Sequence, residues 1–208
     1  MIDTVVASEE EDRPRVPTSA DRYQVGAFVE MLASSILGLV ASLVLSIDAI
    51  ALAKDPNAAL SCNISDTISC AKVGLTWQAN LLGFPNAFLG LIAEPVVITI
   101  AVAALGGVRF PRWFMLSAQV VYSIGLAFAY WLFYQAYFVI GALCPWCLLI
   151  TVTTTLVFAS MTRVNILEGN FGPRIRASLE RPLRLGADFA GVAIFVALLA
   201  AMVVYKYV

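Results

Sequence analysis

Residues 144–161 read Cys144-Pro145-Trp146-Cys147 and then run without a charge through Leu148-Leu149-Ile150-Thr151 to Phe158-Ala159-Ser160-Met161. A bilayer core is crossed by roughly 20 apolar helical residues, so this run is a candidate span with a cysteine pair at its head. Pro145 suits the first helical position, where a backbone N–H would be unpaired anyway. That makes Cys144 the N-cap and places Cys147 in the first turn. Unpaired donors and the helix dipole both favour a thiolate there. The two sulfurs share one face, with Cys147 roughly 4.5 Å deeper at about 1.5 Å rise per residue. One thiol can meet aqueous partners while the other faces the membrane interior.

The rest of the chain agrees with a membrane setting. Of its 208 residues 61 % are hydrophobic and 13 % charged, with a mean hydropathy of +0.86. Soluble domains average about 45–50 % apolar and about 25 % charged. Four further apolar runs are predicted spans: 25–52, 84–105, 113–140 and 187–205, which with 144–161 makes five. Met1 to Gln24 is polar and acidic and has no signal-peptide order, so 1–24 is read as a disordered cytoplasmic tail. The stretch 25–161 is the predicted four-helix core, with 53–83 as an outer loop. A cytoplasmic loop, 162–186, then precedes the fifth span within 187–208.

Orientation follows from the basic residues. Arg13, Arg15, Arg22, Arg109, Arg112, Arg163, Arg174, Arg176, Arg181 and Arg184 share one side of a five-span chain, and only Lys54, Lys72 and Lys206 fall on the other. The amino terminus is therefore predicted in the cytoplasm, and the carboxyl terminus outside. No basic stripe suits nucleic acid, and the absence of histidine removes the commonest neutral metal ligand.

The four cysteines then all fall on the extracytoplasmic side, where disulfides persist. Cys62 and Cys70 lie in the loop after the first span; Cys144 and Cys147 lie where the chain re-enters the membrane. Structural disulfides or a metal pair are the plain alternatives to redox chemistry. A bridge between Cys62 and Cys70 would close a small ring, and exposed bridges exchange readily. Residues 73–82 have polar and apolar faces and could form an interfacial lid over the bundle; a solvated loop is the alternative.

This order, a loop pair and then C-x-x-C heading a later span, resembles the vitamin K epoxide reductase family in its bacterial branch. Ser69-Cys70 followed by Lys72-Val73, and Gly83-Phe84-Pro85-Asn86-Ala87-Phe88-Leu89-Gly90 at the head of the second span, strengthen the likeness, which covers about Ser34 to Met161. The other membrane disulfide generator, DsbB, carries its C-x-x-C before its loop pair.

The resemblance implies an all-α integral membrane protein: a four-helix bundle around a quinone, plus one peripheral helix. It implies a quinone of the menaquinone (vitamin K) or ubiquinone type, and a thioredoxin-fold, DsbA-like partner. Bacterial members often carry a fused thioredoxin-like domain after the fifth span; this sequence stops at Val208, so the partner is expected to be a separate protein. The partner would reduce a Cys62–Cys70 disulfide, Cys70 would attack Cys144 of a Cys144–Cys147 bridge, and Cys147 would pass the electrons to quinone. Asn86 would meet the quinone carbonyl. Thr151 is a further candidate for the pocket, and Asp48 a candidate for thiol protonation, against bland readings as packing and as an interfacial carboxylate. Glu94, beside Pro95 near mid-membrane, is costly there and has no role to inherit.

Three other readings remain open at this stage. A metal transporter would use the thiols as soft ligands. A scaffold would use two structural disulfides. A quinone epoxide reductase would use the same residues as the disulfide generator.

Overall fold

The computed structural model describes residues 19–207. Five helices in it are long and apolar enough to cross a membrane. They are α1 (Ser19–Lys54), α3 (Ala87–Leu105), α4 (Arg112–Tyr134), α5 (Pro145–Leu167) and α7 (Ala187–Tyr207). Two short helices join them: α2 (Cys70–Gly74) in the outer loop and α6 (Pro173–Arg184) between the last two spans. The described residues contain no strand and no thioredoxin-like domain, only one isolated bridge between Ile68 and Leu143. The protein is an all-α multi-pass membrane protein.

Helices satisfy their own backbone groups, which is why lipid admits them. Lipid tails give helices little hydrophobic reason to associate, so close approach of small residues does that work. α1 packs on α3 and α5 with Ser34, Ser35, Ala41, Ser42 and Ser46 buried. Ser46 spends its hydroxyl on the carbonyl of Ser42, 2.6 Å away. Gly90 of α3 lies so close that an added Cβ would stand 2.0 Å from Ser42 Oγ. At the basic end the core is closed by side chains from four helices, among them Met31, Ile100, Met115 and Met161.

Several boundaries differ from the sequence reading. α1 begins at Ser19, inside the stretch read as a tail, whose residues 1–18 lie outside the described ones. α5 runs on to Leu167, past the predicted end at Met161. It does so because Arg163 is held in the last turns by Asp188 of α7 and by Glu30 of α1, 3.5 Å away. A paired charge near the interface does not end a helix. The predicted loop 162–186 contains α6, whose arginines bracket Glu180; Arg184 Nη2 reaches that carboxylate at 2.6 Å and holds it below the usual carboxylate range. α4 continues as a π-helical turn, Gln135–Ile140, until Gly141 at φ 67° turns the chain.

No described residue of α7 is buried. Besides the Arg163 pair, it is tied by Tyr137, whose hydroxyl donates to the Met202 carbonyl at 3.1 Å. It is peripheral to the bundle.

The Gly90 contact gives a stability test. Gly90→Val is expected to cost about 1–3 kcal/mol by overpacking, read as a lower thermal-unfolding midpoint in detergent. Gly125→Ala, with nothing within 4 Å of its added Cβ, should leave the midpoint unchanged or slightly raised.

Candidate functional site

The outer loop is shaped by short polar contacts. Asn63 Oδ1 accepts from Ser69 Oγ at 3.0 Å and from the Ala71 N–H at 3.1 Å. Ser69 in turn caps α2, its hydroxyl accepting from Lys72 N at 3.2 Å. The loop is then fastened to the head of α5: Ser69 N donates to Leu143 O at 3.0 Å, and Leu143 N to Thr67 O at 2.8 Å. Each bond sits beside a cysteine, so the bridge sets Cys70 against Cys144.

Cys62 and Cys70 form a disulfide, with their Cα atoms 5.7 Å apart. Cys144 and Cys147 are free thiols. Cys144 is the N-cap of α5, with Pro145 at the first helical position, and its sulfur accepts from the Cys147 N–H at 3.4 Å. Cys70 Sγ lies 3.2 Å from Cys144 Sγ in a buried contact. Asp48, near the outer end of α1, brings Oδ2 to 3.5 Å from Cys62 Sγ. A disulfide sulfur has no hydrogen to donate, so this is a contact rather than a hydrogen bond. The sulfurs form an ordered series: Asp48 beside Cys62, Cys62 bonded to Cys70, and Cys70 touching Cys144.

Beneath this series lies a cavity of about 490 Å³ whose wall includes Cys70, Cys144 and Cys147. That is within the usual range of small-molecule pockets, about 300–1,000 Å³. Its roof is the stretch after Cys70, including Val73, Thr76 and Gln78. This is the amphipathic segment read from sequence as a lid, now seen as α2 and a 3-10 turn, Trp77–Asn80. Trp77 rests against Trp131 of α4, ring centres 6.2 Å apart. The wall is mostly apolar. Ile92 of α3 and Val121 and Ile124 of α4 line it while remaining more than 60 % exposed. The cavity therefore opens sideways between α3 and α4, toward lipid.

The other predicted residues take definite places. Asn86 lines the cavity, but its amide Nδ2 donates to the Gln78 carbonyl at 2.6 Å. Thr151 also lines it, one turn below Cys147, and its hydroxyl donates to the Cys147 carbonyl at 2.9 Å. Glu94 lies on the same wall, deeper, with Tyr122 of α4 donating to Oε1 at 3.0 Å. Asp48 is not among the cavity residues; it belongs to the loop pair. The Ile68–Leu143 bridge and Tyr122 were missed from sequence. A backbone bridge leaves no side-chain signal, whereas a tyrosine in the middle of a span could have been flagged as a polar group needing a partner.

Residues 29–162, most of the chain, match the model of the vitamin K epoxide reductase family. The chain belongs to the vitamin K epoxide reductase family. The match takes in α1 from Val29, all four cysteines and most of α5. No curated protein matches the chain. As a member of the vitamin K epoxide reductase family it is a membrane oxidoreductase whose cysteines are placed for redox work.

The Cys70–Cys144 contact can be trapped. A Cys62→Ser/Cys147→Ser double variant keeps only that pair, and mild oxidation should join it in most molecules, read as a cross-linked peptide by mass spectrometry. A variant that stays reduced under conditions that oxidise free dithiols would mean the loop does not rest on α5 in this way.

Proposed function

We propose that the protein is a quinone-dependent thiol oxidoreductase that generates disulfides in an extracytoplasmic thioredoxin-fold, DsbA-like partner. The observation carrying this reading is the buried 3.2 Å contact between Cys70, in the loop disulfide, and Cys144, in the pair that heads α5 over an apolar cavity. Sulfur exchange needs such a contact between the two pairs. The disulfide between Cys62 and Cys70 also removes two of the four sulfurs that a metal site would need.

The chain's own steps balance as thiol–disulfide exchanges. A partner thiolate attacks Cys62, the Cys62–Cys70 bond breaks, and Cys70 leaves as a thiolate. The partner's second thiol then displaces Cys62 and departs as a disulfide. Cys70 attacks Cys144 of an oxidised Cys144–Cys147 bridge, releasing Cys147; Cys62 closes back onto Cys70 and releases Cys144. The outcome is a loop disulfide above two thiols, which is the arrangement present in this structure. Asp48 beside Cys62 would take up the proton of the Cys62 thiol when that ring re-closes.

Family members are associated with quinones, and the cavity suits one. Its wall is apolar, Cys147 lies on it, and it opens toward lipid between α3 and α4. Three buried polar atoms without a partner, Ser42 Oγ, Asn86 Oδ1 and Glu94 Oε2, belong to residues lining this one space. An unpaired buried polar atom costs about 1–3 kcal/mol, so a ligand with oxygen substituents would offset part of that. A bound quinone would accept two electrons and two protons as the Cys144–Cys147 bridge re-forms. Cys147 would face it, and Asn86 and Thr151 would border its head. With one Nδ2 hydrogen engaged by Gln78, the Asn86 amide keeps a second N–H, a donor suited to a quinone carbonyl, and Oδ1, an acceptor suited to the hydroxyl of a reduced ring. Menaquinone is the favoured quinone.

We assign the protein to the inner or plasma membrane, with the basic loops in the cytoplasm and the cysteines outside. Arg112 Nε donates to the Asn170 carbonyl at 2.7 Å, gathering two of the basic connections at the end opposite the sulfurs. This supports the charge-based orientation.

The deciding experiment is anaerobic quinone reduction by purified protein with a reduced thioredoxin-fold donor. Wild type should turn over and Cys147→Ser should fall to background. Cys62→Ser should lose turnover with the protein donor and keep it with dithiothreitol, which can reach the α5 pair directly. Absence of turnover in a folded wild type, across several donors and quinones, would sink the reading.

A further inference from the structure

Glu94 has no part in the sulfur series, yet it is only 4 % exposed and lines the cavity. Its surroundings are built for a carboxyl. Tyr122 donates to Oε1 at 3.0 Å, whereas Oε2 is buried without a well-formed hydrogen bond, as is the neighbouring Ser35 hydroxyl of α1. Across on α1, a Cβ added to Gly38 would stand 3.0 Å from Oε1 and 3.1 Å from Thr153 Oγ1, so a larger residue there would press on the carboxyl. No Lys or Arg is among the residues lining the cavity. A carboxyl in that setting is carried as the neutral acid, because an ionised one at membrane depth is costly. The neutral acid has one hydrogen to donate, and the Tyr122 bond occupies the oxygen that does not need it.

The position matters as much as the chemistry. Glu94 of α3 and Thr153 of α5 both face Gly38, and from Cys147 to Thr153 the helix descends roughly 9 Å at about 1.5 Å per residue. Cys147 and Asn86 therefore border the outer part of the cavity and Glu94 the inner part. A para-quinone carries acceptor oxygens at opposite ends of its ring, and the outer groups can serve only one of them.

We propose that Glu94 is the inner polar anchor of the cavity: its carboxyl, oriented by Tyr122, donates a hydrogen bond to the inner carbonyl oxygen of a bound para-quinone. This rests on the quinone reading above and adds a residue that selects ligands with two opposed carbonyls. The plain alternative is a strut, in which Glu94 only ties α3 to α4 through Tyr122.

The test is binding, with no turnover involved. Oxidised full-length protein, with Cys144 and Cys147 bridged and no electrons to give, is titrated calorimetrically in detergent with menadione and with 2-methylnaphthalene. The second ligand keeps the two-ring shape and the methyl group and has no carbonyl. E94L should weaken menadione about tenfold, equivalent to about 1.4 kcal/mol, and leave 2-methylnaphthalene within about twofold. E94Q, which retains a donor, should bind menadione within about twofold of wild type. The anchor is overturned if E94L loses affinity for neither ligand, or for both alike, while its unfolding midpoint drops, which is the signature of a strut. It is equally overturned if E94Q is as weak as E94L. A wild type that binds no menadione removes the quinone reading itself, and the anchor with it.

Discussion

Two backbone hydrogen bonds between Thr67–Ser69 and Leu143 hold the outer end of this protein together. The loop that carries Cys62 and Cys70 is largely exposed from Asp55 to Asp66 and has few apolar anchors of its own. Left to itself it would sample many positions, and ordering each residue costs roughly 1–2 kcal/mol in backbone entropy. The bridge spends a pair of backbone groups from the turn before α5, so the same two bonds satisfy both segments and fix their register. Cys70 follows one strand of the bridge and Cys144 the other. Their sulfur contact is thus set by main-chain geometry, with side-chain packing from Leu45, Leu60 and Val73 closing around it.

The bundle divides its length between two tasks. At the basic end Met, Val and Phe side chains fill the space between α1, α3, α4 and α5. Toward the sulfurs the same helices leave a chamber, bordered on α1 by Ser42, Leu45 and Ala49. Ser42 and Gly90 let α1 and α3 touch there, while α3 and α4 stand apart. Pro95 lies within α3 and leaves the carbonyl of Leu91 without its helical donor. The chamber is the result of where close approach is permitted and where it is not.

The spans, their number and the cysteine order were legible in the sequence, because length and hydropathy report directly on membrane crossing and four cysteines are easy to place. The helical N-cap at Cys144 was legible too, since Pro145 and the uncharged run behind it are local signals. What escaped was set by contacts between distant residues. Arg163 looked like the start of a loop because nothing local announces Glu30 and Asp188 as its partners. The residues of α6 read as loop because its mixed arginines and prolines hide a short amphipathic helix. Asn86 was expected to aim its amide at a carbonyl; what the sequence did not announce is that one of its two N–H groups is engaged by Gln78, a backbone acceptor eight residues earlier. Glu94 stood out as expensive, but Tyr122 and Gly38, which make it tolerable, come from two other helices.

The gap between α3 and α4, marked by Ile92, Val121 and Ile124, also decides what concentration means for this protein. A ligand arriving through it has never been in water. Its supply is counted per lipid molecule, and encounters occur by diffusion in two dimensions within the bilayer. Diluting the protein with detergent or extra lipid lowers saturation even when the amount per litre is unchanged. Affinities for such a ligand compare between preparations only as mole fractions of the surrounding membrane.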